Sequence, residues 1–210
     1  MKKDYYFDCA QKNLDKKTRF IAKLEFNRFF NKNMKILDIG CLKGHFISVN
    51  PENIQGVEIN QKAVDLCIKQ GFDVKQVDIE KGLPFKDESF DGIYISHVIE
   101  HLNDPLLALK GCYRVLKKGG KIVIKTPDYN KWGGFWDDYT HKFPLTKKSL
   151  GAIVMDAGFE KIIVDYDYKQ VRGFGILLRK GIIKNLEQLR NLQKKFGMKS
   201  PALVCIAIKI

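Results

Sequence analysis

The sequence predicts an α/β fold: a mostly parallel sheet with helices on both faces. Three observations predict it. Ile36, Leu37 and Ile39 form a short apolar run, as in a strand buried on both faces. Gly40 and Gly44 follow at the end of that strand, where an open α/β sheet places its ligand crevice and where glycine lets a ligand approach the backbone. Strand-like and helix-like segments then alternate along the rest of the chain.

Composition sets the outer bounds. The 210 residues suffice for one domain with a proper core and are too few for two. A hydrophobic content of 45% argues against wholesale disorder. No apolar run approaches the ~20 residues that span a bilayer, and Met1 to Tyr6 lacks the apolar centre of a secretory signal. Five cysteines are scattered with no Cys-x-x-Cys pair, which predicts reduced core residues of a cytoplasmic protein. The net charge of +13 suits nucleic acid, an anionic membrane surface or phosphorylated substrates, and says nothing about fold.

Residues 1–33 read as an N-terminal helical cap on a domain spanning 34–210. Its helix, Asp15 to Phe30, is expected either over the ligand crevice or, the favoured reading, against the sheet edge. The second strand, Asn53 to Ile59, ends on Glu58, 58 − 38 = 20 residues after Asp38, a placement that suits hydrogen bonds to ribose hydroxyls. Asn60 caps the next helix, Val64, Cys67 and Ile68 form its buried stripe, and Gly71 ends it. A third strand, Phe72 to Val77, ends at Asp78, which as an aspartate also fits a plain turn. A fourth runs from Gly92 to Ser96. Asp104-Pro105 opens a helix with Leu106, Leu109, Tyr113 and Leu116 inward, stopped by Gly119-Gly120, and Gly120 to Thr126 is the fifth strand.

Asp128 to Pro144 carries Tyr129, Trp132, Phe135, Trp136, Tyr139, His141 and Phe143 without periodicity. A structureless loop of ~15 residues is uncommon in a compact domain and tends to be functional. A helix from Thr146 to Ala157 follows, with strands at Ile162 to Tyr168 and Ala202 to Ile210. Between those strands lies a basic insertion, about 169–200. Its helix, with Ile182, Leu186, Leu189 and Phe196 on one face, is read as a surface helix, with peripheral membrane or nucleic-acid contact through 179–196 as the alternative.

Asp38-x-Gly40-x-x-x-Gly44 resembles the first motif of class I S-adenosylmethionine-dependent methyltransferases, of the small-molecule type 11/23-like group. It does not fit the dinucleotide fingerprint, since neither Leu42 nor His45 is glycine. The run from Leu83 to Leu102 around the fourth strand resembles the same family, as does helix, Leu-Lys-Lys-Gly-Gly, strand. The resemblance implies a Rossmann-like seven-stranded sheet in the order 3-2-1-4-5-7-6 with the last strand antiparallel. It implies S-adenosyl-L-methionine as cofactor, held by Asp38, Gly40, Cys41, Gly44, Glu58, Ile59, Asp78, Ile79 and Ser96. Asp78 would meet the adenine amino group and Ile79 would pack on the ring. One departure stands out: the motif's middle glycine is Leu42 here, so a side chain occupies the place where backbone meets cofactor.

The acceptor is less legible. Asp138-Tyr139-Thr140-His141 resembles methyltransferases acting on sugars and lipid-linked glycans, which implies a small-molecule, saccharide or lipid-linked acceptor methylated at O or N. His141 is the first candidate for a general base, because imidazole titrates near neutral pH, and packing of the loop onto the sheet is the equal alternative. His97 and His101 are further candidates. His97-Val-Ile-Glu100-His101 also matches a zinc-peptidase signature, but it follows a strand and the glycine loop has no place in such an enzyme, so no metal is expected. Ser96-His97-Val98-Ile99 is not the Pro-Pro-aromatic motif of base-amino enzymes. Lys125 matches one member of the ribose-methylating tetrad, but Ser96 stands where that tetrad has Asp. RNA is therefore the runner-up acceptor. A silent member of the fold binding nucleic acid or membrane through its basic face is the second hypothesis, supported by Leu42 and opposed by the acids at 38, 58 and 78.

Overall fold

All four residues of the first strand, β1 (Ile36–Ile39), are buried, as an apolar run covered on both faces requires. The structure is a computed structural model and describes residues 16–130, 135–167, 188 and 202–210. Beside β1 lie β2 (Ile54–Glu58), β3 (Val74–Gln76), β4 (Phe90–Ser96), β5 (Leu116–Pro127), β6 (Glu160–Tyr166) and β7 (Ala202–Ile208). They form one sheet in the order β3-β2-β1-β4-β5-β7-β6. Strand β7 is antiparallel to β5 and β6, and the other pairs are parallel. The architecture and strand order expected from the sequence are thus present.

Among the described residues, the sheet is covered by α1 (Lys16–Phe29), α2 (Gln61–Lys69), α3 (Pro105–Val115) and α4 (Lys147–Asp156). Successive strand side chains point to opposite faces. Leu37 and Ile39 join the core under α3 and α4, whereas Ile36 joins the core under α1 and α2. The caps follow the sequence. Asn60 accepts from the Ala63 amide, Asp104 from Leu107, and Thr146 and Ser149 form a reciprocal capping box.

Some expectations need correction. Helix α1 lies across a sheet face and not at its edge. Phe26, Phe29 and Phe30 pack into one core with Ile36, Tyr94, Val123 and Val204. A Cβ at Gly92 would meet Phe30 at 2.6 Å, so that glycine admits the ring. A buried charged network adds direction. Lys125 Nζ lies 2.6 Å from Asp167 and 3.4 Å from Glu25, Tyr94 donates to Glu25 at 3.0 Å, and Arg28 donates to Asp167 at 3.0 Å. The sheet edge could bury neither the rings nor these charges.

The stripe of α2 is Ala63, Val64 and Cys67, with Ile68 exposed. That of α3 is Pro105, Ala108, Leu109, Cys112 and Val115, with Leu106 and Tyr113 only partly buried. Leu109 is inward as expected; the helix stops at Val115, and Leu116, also buried, already belongs to β5, ahead of the two glycines. Trp132 and the 169–200 insertion, including the helix read at 179–196, lie outside the described residues, Gln188 excepted. Among the described residues no helix is long and apolar enough to cross a membrane.

Candidate active site

A cavity of about 630 Å³ opens at the C-terminal ends of β1, β2 and β4, the size of a small-molecule site. One end is formed by the turn after β1 and the ends of β2 and β3. The other is formed by residues 96–102 after β4 and by 138–142 of the aromatic loop.

At the first end, Glu58 is fixed by two backbone donors. The Leu42 amide gives to its Oε2 at 3.0 Å and the Asn60 amide to its Oε1 at 2.9 Å. Each oxygen keeps acceptor capacity, so the carboxylate is set to receive hydroxyl donors from the cavity. Asp78, after β3, caps the following turn through the Glu80 amide at 3.2 Å and lines the cavity with Ile79. Gly40 has φ 72, and a Cβ there would collide with Val98. Leu42, the departure from the glycine motif, has φ 46, a left-handed conformation that side chains disfavour. Its side chain lines the cavity, which stays open around it.

Of the nine residues expected to hold a cofactor, Gly40, Glu58, Ile59, Asp78, Ile79 and Ser96 line this cavity. The structure does not bring Asp38, Cys41 or Gly44 to it. Asp38 is 4% exposed and alternates onto the α1 face, where burial, followed by the Glu58 charge, pushes its carboxyl up to about 8. Cys41 is buried in the core beside Gly56. Gly44 serves packing, since a Cβ there would meet Phe72 at 2.6 Å.

The second end gathers all three candidate histidines. His97 follows β4 at φ 56, and its Nδ1 lies 3.2 Å from Glu100 Oε1. Glu100 is wholly buried and also accepts from Thr126 Oγ1 at 3.2 Å. His101 Nδ1 lies 3.1 Å from Thr140 Oγ1 and 3.3 Å from the Thr140 carbonyl, and burial holds its ring below the ordinary imidazole pKa. His141 is buried, and its Nδ1 donates to the Phe135 carbonyl at 2.6 Å. The loop is latched to this turn by the Lys142 and Phe143 amides, which both donate to the Glu100 carbonyl, at 2.8 and 3.0 Å. Residues 99–101 form a single 3-10 turn, so the peptidase pattern does not sit on an α-helix. Lys125 faces Glu25 and Asp167 under α1 and does not line the cavity, which removes the remaining tetrad match.

Sequence reasoning missed Glu100 as a site residue, although it stood inside the pattern that was set aside. Asn60, read only as a helix cap, and Asp138 and Tyr139, read only as part of the run leading to His141, also line the cavity.

Comparison with known proteins agrees with this geometry. Residues 37–124 match a family described as a methyltransferase domain. An uncharacterised protein of Methanocaldococcus jannaschii is 31% identical over 175 residues, covering 81% of this chain and 80% of that protein. A demethylmenaquinone methyltransferase of Lactobacillus johnsonii is 34% identical over 151 residues, but the chain spans only 61% of it, and the match takes in 60% of this chain. A solved S-adenosylmethionine-dependent methyltransferase of Archaeoglobus fulgidus superposes with a TM-score of 0.68 at 28% identity, covering 98% of this chain and all of that one.

Proposed function

This chain belongs to the class I S-adenosylmethionine-dependent methyltransferases, and we propose that it methylates a hydroxyl of a ring-bearing small molecule. The bound cofactor supplies a methyl group already activated by its sulfonium. Glu58 is assigned to the ribose hydroxyls, Asp78 and Ile79 to the adenine, and the turn from Gly40 to Leu42 to the remainder of the cofactor. The protein's own task is then to hold the acceptor in line and to relieve it of a proton.

The observation that carries the hydroxyl reading is the pairing of His97 with the buried Glu100 at the acceptor end. A carboxylate holding Nδ1–H leaves Nε2 to take a proton, so in this reading the base is His97, while the more enclosed His141 serves the acceptor site in another way. Tyr139, exposed on the loop and lining the cavity, offers a flat apolar face to a ring. The Lactobacillus johnsonii relative is named a demethylmenaquinone methyltransferase, which favours a quinone-type ring over a free sugar and leaves the atom methylated to the test below.

The test is S-adenosylhomocysteine formation with hydroxylated aromatics and sugars, against amines and transfer RNA. Turnover with hydroxyl acceptors, and a fall in kcat of roughly 10²-fold or more in His97→Asn at unchanged cofactor affinity, are expected. Turnover confined to amines or RNA, or full activity in His97→Asn, refutes the reading.

A further inference from the structure

The sequence pattern His97-x-x-Glu100-His101 lacks the helix that would put its two histidines on one face, since His97 turns left-handed and only residues 99–101 coil. The chain brings a different histidine instead. The loop after β5 delivers His141 beside His101, with ring centroids 4.8 Å apart. One ligand atom from each of Glu100, His101 and His141 then lies within 4.8 Å of the others. Bonds of about 2.0–2.2 Å place tetrahedral ligands roughly 3.4 Å apart, so modest side-chain rotation closes the set around one ion.

The surroundings fix each of the three. His141 Nδ1 gives its proton to the Phe135 carbonyl, which places the lone pair on Nε2. The Thr140 carbonyl beside His101 Nδ1 accepts only an N–H, which selects the same tautomer. Thr140 is itself held by Asp138 Oδ1, through its amide at 3.0 Å and its hydroxyl at 2.6 Å. Glu100 is oriented by His97 and Thr126. Imidazoles tied down at one nitrogen by carbonyls, beside a carboxylate tied down by its own donors, are what metal centres use to aim their ligands.

We propose that Glu100, His101 and His141 bind a divalent transition-metal ion at the acceptor end of the cavity. Two imidazoles and one carboxylate suit zinc, iron, manganese or cobalt better than magnesium or calcium, which favour oxygen alone. Three protein ligands leave a position open toward the cavity. There the ion binds the acceptor oxygen and eases loss of its proton, a role that rests on the hydroxyl reading given above. Acceptors with two neighbouring oxygens, which can chelate, are the preferred class.

The experiment is a titration of chelator-treated protein with Co2+ in the absence of S-adenosylmethionine. Visible absorption reports the coordination, and Zn2+ is used to compete. One Co2+ per chain, displaced by Zn2+ and not by Mg2+, is expected. His101→Asn, His141→Asn and Glu100→Gln are each expected to weaken binding at least tenfold, with S-adenosylhomocysteine affinity by calorimetry unchanged as the sign of an intact fold. Thr140→Val, which touches no ion, is expected to weaken it about tenfold through His101. No Co2+ uptake by the unaltered protein, or equal uptake by the variants, overturns the site. Methylation of hydroxyls that persists after chelation also overturns it while leaving the hydroxyl reading intact. Metal binding with turnover of amines alone keeps the site and overturns that reading.

Discussion

Leu42 holds a backbone conformation that favours glycine, at the motif position where related enzymes have one. A left-handed conformation costs a residue with a Cβ about 1–2 kcal/mol, and glycine almost nothing. Glycine is elsewhere less stable than alanine by about 0.5–1 kcal/mol, through the freedom it loses on folding. At position 42 the two terms oppose each other, and the strain is the larger. The Leu42→Gly protein is therefore expected to exceed Leu42→Ala by about 0.5–1 kcal/mol, the reverse of the usual order. In a domain of this size that is a Tm difference of roughly 1–4 °C. Both variants lose the partly buried leucine side chain equally, so their difference isolates the backbone. The assay is thermal and denaturant unfolding of the two variants side by side. If Leu42→Ala is the more stable, the strain assigned to this turn is wrong. Calorimetry on the same proteins gives the functional half: the amide that holds Glu58 is kept and a side chain leaves the cavity, so Leu42→Gly is expected to bind S-adenosylmethionine at least as tightly as the parent.

Three further outcomes follow from the same geometry. Glu58→Ala removes a charged acceptor from two ribose hydroxyls at about 1.5–3 kcal/mol per bond, so cofactor affinity by calorimetry is expected to fall tenfold or more; an unchanged Kd assigns the ribose elsewhere. Asp38 is raised to about 8 in the folded chain from 3.8, so the native state binds the extra proton and stability falls as pH rises from about 4 through 8. Asp38→Asn should flatten that slope: its Tm advantage over the parent is expected near zero at pH 4 and several degrees at pH 9, and an equal shift at both sinks the assignment. Lys125→Met removes the cation that Glu25 and Asp167 share and leaves two buried carboxylates with Tyr94 and Arg28 against them, which at about 3–5 kcal/mol lowers Tm on the order of 10 °C; a neutral result means that water reaches the network.

The frame of the molecule was legible because its signals are local. An apolar run ending in glycine, an acid at the end of each of the next two strands, and the cap residues Asn60 and Asp104 can be read without knowing what lies across the sheet. Gly40, Glu58, Asp78 and Ile79, picked out on that basis, line the cavity. What escaped depends on direction. Asp38 was assigned to the cofactor by motif, yet strand alternation turns it to the face of Tyr94 and α1. Lys125 was weighed as a reacting group, and alternation likewise points it at Glu25 and Asp167. Glu100 and His141 are 41 residues apart, and the loop is brought to the turn by long-range hydrogen bonds, the 142 and 143 amides onto the Glu100 carbonyl and His101 against Thr140. No spacing rule encodes such a meeting.

The two ends of the cavity are also mechanically joined. His97 turns left-handed at the end of β4, and this swings Val98 across the neighbouring strand end, over Gly40, where no Cβ could coexist with it. Glu100 follows two residues later and carries His97 Nδ1, Thr126 and the loop latch. Gly40→Ala must therefore push Val98 outward and drag Glu100 with it, besides straining its own left-handed backbone. Loss of cofactor affinity and loss of Co2+ binding are expected together in this variant, although residue 40 lies at the cofactor end only. Gly44→Ala is the control. Its added methyl meets Phe72 and Cys67, away from the histidines, so it is expected to lower stability and cofactor affinity while Co2+ binding survives. If Gly40→Ala spares the histidine end as well, the ends of β1 and β4 are not coupled through Val98, and each half of the site is built independently.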